Sequence, residues 1–222
     1  MRRFKSVLCL SLSIALGSSA AWAQEEVPAG RQTLEVLLTA AASLPPAARA
    51  SMMNEAATIW RHQGVRIEWL PATAQRPVSP NRLRVLVVER QQQAANPGEP
   101  LTVGELLRPL SGHPVAMMSI QSAQRLVASV RGRAGYELAV VDQRRLGLVL
   151  GRALAHEIGH YLLDTHTHAR QGLMRPQFNA LEFTDRRDET FALDRAASAW
   201  LRSHLDISPE FARPDVRFAY AH

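Results

Sequence analysis

The chain has 222 residues and a formal net charge of +6, enough length for one domain with a substantial core. Three of its 26 basic residues and none of its 20 acidic ones fall in the first 23 positions, leaving 23 basic against 20 acidic residues, or +3, over the rest. Those remaining basic residues are all arginines scattered along the chain rather than the dense stripe that nucleic-acid binding wants. The lone Cys9 lies in the first segment, so residues 24–222 can form neither a disulfide nor a cysteine-ligated metal site.

Arg2, Arg3 and Lys5 precede a largely apolar run at 7–16, and Ala21-Trp22-Ala23 forms an A-x-A site. The expectation is a cleavable secretory signal peptide over 1–23, with residues 24–222 exported to the periplasm or beyond as a single domain without a membrane anchor. Residues 33–39 (TLEVLLT) predict a first strand. After Pro45-Pro46, residues 47–62 have helical spacing at Ala50, Met53, Ala57 and Trp60, and Gly64 is placed to end that helix. Residues 65–70 and 83–88 predict two further strands, and 91–100, rich in Gln, Ala, Pro and Gly, reads as a surface connection. A fourth strand is expected at 115–120 and a short fifth at 138–141. Asp142 can then cap a helix with a buried stripe of Leu146, Val149, Leu150, Ala153 and Leu154. Thr184 can cap a last helix bearing Leu193, Ala196, Ala197, Trp200 and Leu201 on one face. Helices covering a mixed sheet follow from this order.

Residues 156–174, HEIGHYLLDTHTHARQGLM, carry the chemistry. On a helix His156 and His160 lie one turn apart, their Cβ atoms about 5–6 Å from each other. Two imidazoles so placed can chelate one Zn²⁺, with Glu157 beside them to take a proton from metal-bound water. Catalytic zinc needs a third protein ligand and an open position; His166 and His168 are both candidates for the third. An HExxH string also arises by chance, but here it continues an apolar helix, where a buried His-Glu-His cluster without a metal is costly. The expected activity is zinc-dependent hydrolysis of a peptide or protein substrate. His62, His113, His204 and His222 have no partner pattern and read as surface or structural residues.

The metzincin pattern is H-E-x-x-H-x-x-G-x-x-H followed by a methionine-containing turn. His156, Glu157 and His160 match it, Met174 in GLM is similar to the Met-turn residue, and the approach L-G-x-x-x-A-H-E-I-G-H resembles that of bacterial metzincin-like zinc peptidases. The resemblance covers about residues 33–178. It implies an α+β fold: a metzincin-like sandwich with a mixed, mostly parallel five-stranded sheet, an antiparallel edge strand, an active-site helix and a C-terminal helix. In it, Val115, Ala116 and Met117 would belong to the edge strand that pairs with an extended peptide. Met174 would floor the imidazoles without binding metal, and Arg175 and Phe178 would border the pocket for the side chain after the scissile bond. His168 stands four residues before Gly172, as the third histidine does in HSxxG-[IL]-M relatives, which favours it over His166.

The chain departs from the pattern at Leu163, where the family has Gly. A bulky residue resists positive φ more than Asp does, so the turn off the helix is expected at Asp164 or later. Two other readings compete. In a gluzincin-type site Glu189 would supply the third ligand, at the cost of leaving the downstream histidines and Met174 unexplained. A zinc-stabilised, non-catalytic binding protein of the same fold would have no need of Glu157.

Overall fold

The computed structural model describes residues 32–74, 79, 81–89, 102–110, 113–131, 139–185 and 189–205. The expected signal peptide and the 91–100 connection lie outside the described residues. Five strands, β1 (Gln32–Ala40), β2 (Val65–Pro71), β3 (Arg82–Val88), β4 (Gly104–Leu107) and β5 (Val115–Ser119), form one sheet in the order β2-β1-β3-β5-β4. All neighbours are parallel except β4, which runs antiparallel to β5. The architecture is α+β, with helices α1 (Pro46–His62), α2 (Ile120–Arg131), α3 (Ala139–Leu162), α4 (Ala180–Thr184) and α5 (Arg195–Leu205). No helix among the described residues is long and apolar enough to cross a membrane.

Period-2 alternation sets the core. Leu34, Val36 and Leu38 of β1, Leu83, Val85 and Val87 of β3, and Ala116 and Met118 of β5 share one buried face with the inward residues of α1 and α3. On the other face Glu35 and Arg82 form an ion pair across adjacent strands. α1 starts on Pro46, where a missing N–H costs nothing, and Gly64 follows its end at φ +83°. Its buried residues are Ala48, Met52, Ala56, Ile59 and Trp60 rather than Ala50, Met53 and Ala57 with Trp60. Both series have helical spacing through Trp60, and in so alanine-rich a segment hydrophobicity barely separates them.

Three expectations are corrected. Residues 115–119 are a strand, but an interior one, so Val115, Ala116 and Met117 are flanked by β3 and β4 and offer no edge to a peptide. The antiparallel edge is β4, a four-residue strand overlooked because a run containing Gly104 and only Leu106 and Leu107 as apolar residues has little strand signature. The fifth strand expected at 138–141 does not form, because residues 139–141 are the first turn of α3, with Asp142 inside that turn rather than capping it. Four apolar residues cannot by themselves distinguish a strand from a helix start. Thr184 ends α4 instead of starting the last helix. The cap of α5 is Asp194, whose carboxylate accepts the Ala197 N–H at 2.8 Å. On α5 Leu201 is buried, whereas Ala196 and Trp200 are exposed.

Candidate metal centre

The helix α3 delivers the site from the core. Leu146, Val149, Leu150, Ala153 and Leu154 are all buried, as the spacing predicts. Two polar contacts fix the helix against α1: the Trp60 indole N–H donates to Ala155 O at 3.1 Å, and the fully buried Arg152 pairs with Glu55 at 2.8 Å. Arg152 also donates to Glu182 O at 2.7 Å and lies over the Phe191 ring, so it ties α1, α4 and the following turn to the residue one helical turn before His156.

His156, His160 and His168 converge, their ring nitrogens all within 4.8 Å of one another. The His156 Nε2 and His160 Nε2 atoms are 3.0 Å apart. His156 Nδ1 lies 2.7 Å from Leu173 O and His160 Nδ1 lies 2.8 Å from Thr165 O. A carbonyl only accepts, so each Nδ1 carries the proton and each Nε2 presents a lone pair. Burial pushes the His156 imidazole down to about 4, against the effect of its Leu173 hydrogen bond and aided by His160 and His168. Burial likewise lowers His160, opposed by the bond to Thr165. Both rings are thus neutral near pH 7, and their two Nε2 lone pairs face each other without a proton between them. A cation resolves that arrangement. Nitrogens bound at about 2.0–2.1 Å to one tetrahedral ion stand about 3.3 Å apart, close to the spacing seen. The three-histidine cluster could therefore hold a metal ion.

His168 reaches the cluster because the chain turns at Asp164, the one non-glycine residue with positive φ (45°) among those described. This is the turn position expected from Leu163. The bend is held by the Thr165 N–H on His160 O at 3.3 Å and by Arg108, which donates to both Asp164 Oδ1 at 2.7 Å and His160 O at 2.8 Å. Further on, the Ala169 N–H donates to Met174 O at 2.8 Å and the Leu173 N–H to Ala192 O at 2.7 Å. Gly172 at φ +76° turns Leu173 and Met174 inward, where both are buried. Met174 packs on α3 at Gly159, between His156 and His160 in the chain: a Cβ at Gly159 would stand 2.2 Å from its Sδ.

Glu157 is 7% exposed. Burial pushes its carboxyl up to about 7, opposed by a hydrogen bond from the Leu106 N–H and reinforced by the nearby Glu105 charge. It lines a cavity of about 420 Å³ with all three clustered histidines, His166, Arg175 and Phe178. His166 is thus at the site but outside the converging set. The Phe178 ring stacks on Phe191 at 5.0 Å and meets His156 edge-on at 6.3 Å, so it belongs to both the pocket and an aromatic cluster. Arg175 lies over Phe178 and pairs with Glu182 at 2.9 Å. Glu189, the third ligand in the gluzincin reading, belongs to a 3-10 turn, Glu189–Phe191, and its side chain lies outside what the structure describes.

Reading the sequence did not single out Arg108, Arg152, Gly104 or Leu106. Nothing in their spacing marks them, because each acts across a long sequence separation. The cavity also takes Leu126 from α2, a helix that reading missed although Ile120, Ala123 and Val127 have helical spacing and are buried. Ser119, whose Oγ accepts the Ser122 N–H at 3.2 Å, was a usable start signal. No family model, curated protein or solved structure matches this chain.

Proposed function

We propose that the chain is a zinc-dependent peptidase of metzincin-like build, exported by its N-terminal segment. The observation that carries the reading is the facing pair of unprotonated Nε2 atoms, with His168 beside them and a buried carboxylate on the next residue of the same helix. Imidazole-only ligation suits zinc among the common divalent ions. Met174 beneath Gly159 and the inward turn at Gly172 support the metzincin-like reading over other HExxH hydrolases.

His156, His160 and His168 would hold the ion, and the Leu173 and Thr165 carbonyls would fix two of the rings by accepting from Nδ1. The bound ion would bring the pKa of water towards about 7 and polarise the scissile carbonyl. Glu157, its proton affinity raised by burial, takes the proton of the attacking water on its carboxylate and passes it to the departing amine nitrogen. The cavity beside residues 175–178 receives a side chain of the substrate.

The test is hydrolysis of casein or a peptide library by zinc-loaded wild type and by Glu157→Gln. Expected is cleavage by wild type and a kcat lower by roughly 10²–10⁴-fold in the variant, with metal retained in both. Equal activity in the two would contradict the assigned role. Retained metal with no cleavage by either would favour a metal-stabilised binding protein.

A further inference from the structure

The donor that meets Glu157 comes from the sheet edge. Just before β4, Val103 O accepts the Ser119 N–H at 2.9 Å, and from that point the register runs Glu105 opposite Met117 and Leu107 opposite Val115. Antiparallel ladders alternate hydrogen-bonded and non-hydrogen-bonded pairs. The bonded pairs are therefore 103, 105 and 107, and the main-chain groups of Gly104 and Leu106 point away from β5, off the outer edge. Leu106 and Glu157 line the same cavity, and the Leu106 N–H opposes the upward shift of the Glu157 carboxyl. The approach depends on Gly104. A Cβ at that position would stand 3.1 Å from Glu157 Cγ and 2.8 Å from Cε of the fully buried Met118.

We propose that β4 is a positioning element for Glu157: Gly104 leaves room for its side chain, and the Leu106 main-chain N–H holds its carboxylate within the histidine-lined cavity. The catalytic consequence rests on the peptidase reading; the hydrogen bond does not. One contact thus serves twice. It orients a flexible side chain that has no other fixed partner of opposite charge in the cavity lining except Arg175, itself engaged by Glu182. It also satisfies an outward donor on an edge strand, where exposed donors invite adventitious pairing.

Amide exchange measured by NMR on the zinc-loaded chain tests the contact without reference to activity. The Leu106 amide should exchange at least about 10-fold faster in Glu157→Ala than in wild type. Glu157→Gln, which keeps a carbonyl acceptor, should restore slow exchange, and the Glu105 and Leu107 amides, bonded to β5, should not change. Kinetics test the consequence: Gly104→Ala should lower kcat on a peptide by about 10-fold, since misplacing a group by around 1 Å can cost about 100-fold. KM and the bound metal should be unchanged. A Leu106 amide that exchanges equally fast in wild type and Glu157→Ala overturns the proposal. So does a Gly104→Ala variant whose KM rises at constant kcat, because β4 would then serve the substrate rather than Glu157. If wild type cleaves no peptide, the peptidase reading fails, and the exchange comparison alone upholds or overturns the placement of Glu157.

Discussion

Replacing Glu157 with Gln should stabilise the metal-free chain above neutral pH while removing the proposed catalysis. The Glu157 carboxyl is raised from an ordinary 4.5 to about 7, chiefly by burial. The unfolded chain therefore releases this proton first as the pH rises. Below 4.5 the group is neutral in both states and contributes nothing; from 4.5 to about 7 the folded state loses stability, and above 7 the full cost applies. At about 1.4 kcal/mol per pH unit that cost has a ceiling of about 3 kcal/mol. Gln keeps the shape and can still accept the Leu106 N–H, but burying its amide returns part of the gain, leaving about 2 kcal/mol. For a chain of this length each kcal/mol moves Tm by roughly 2–4 °C. Scanning calorimetry in chelator should show Glu157→Gln melting roughly 4–8 °C above wild type at pH 8.5 and roughly 2–4 °C below it at pH 4, where only the cost of burying the amide remains. Zinc should shrink the gain, because a cation beside the carboxylate relieves the same cost. A difference independent of pH, or a variant less stable than wild type at pH 8.5, would refute the reasoning.

Three further outcomes are expected. Arg152→Ala removes a fully buried guanidinium and leaves the half-buried Glu55 without its partner, and should cost about 3 kcal/mol, read as a Tm lower by roughly 6–12 °C. Unchanged melting would mean that Arg152 is not the tie between α1 and α3. Gly159→Ala drives a methyl into Met174 Sδ and should lower zinc affinity roughly 10–100-fold by displacing the floor beneath the ligand rings, as measured by chelator competition; wild-type affinity would show that Met174 does not shape the cluster. Asp164→Val forces a β-branched residue to φ 45° and should cost about 1–2 kcal/mol, whereas Asp164→Gly, which accepts that φ but loses the Arg108 bond, should fall closer to wild type in thermal melts. Equal stability of the two variants would count against strain at this turn.

What the sequence disclosed follows the reach of its signals. The paired histidines, Glu157 and the apolar stripe of α3 are legible because a helix places residues three and four apart on one face. The turn at Asp164 was legible for the same local reason: Leu163 resists the left-handed conformation and Asp164 does not. The choice between His166 and His168 was legible only through resemblance, since both lie within reach of the bend; coordinates place His168 with the other two rings. The edge strand was misassigned because β4 is short and contains a glycine, while the interior strand β5 has the stronger run of apolar residues. The tie at Arg152 and the clamp at Arg108 join residues dozens of positions apart, and no periodicity encodes such contacts.

The most direct test is zinc stoichiometry and affinity, by titration of chelator-stripped protein, for wild type, His166→Ala and His168→Ala. Wild type and His166→Ala should each bind one zinc ion per chain with similar affinity, while His168→Ala should lose stoichiometric binding. Retention of wild-type affinity by His168→Ala would contradict a centre built from His156, His160 and His168.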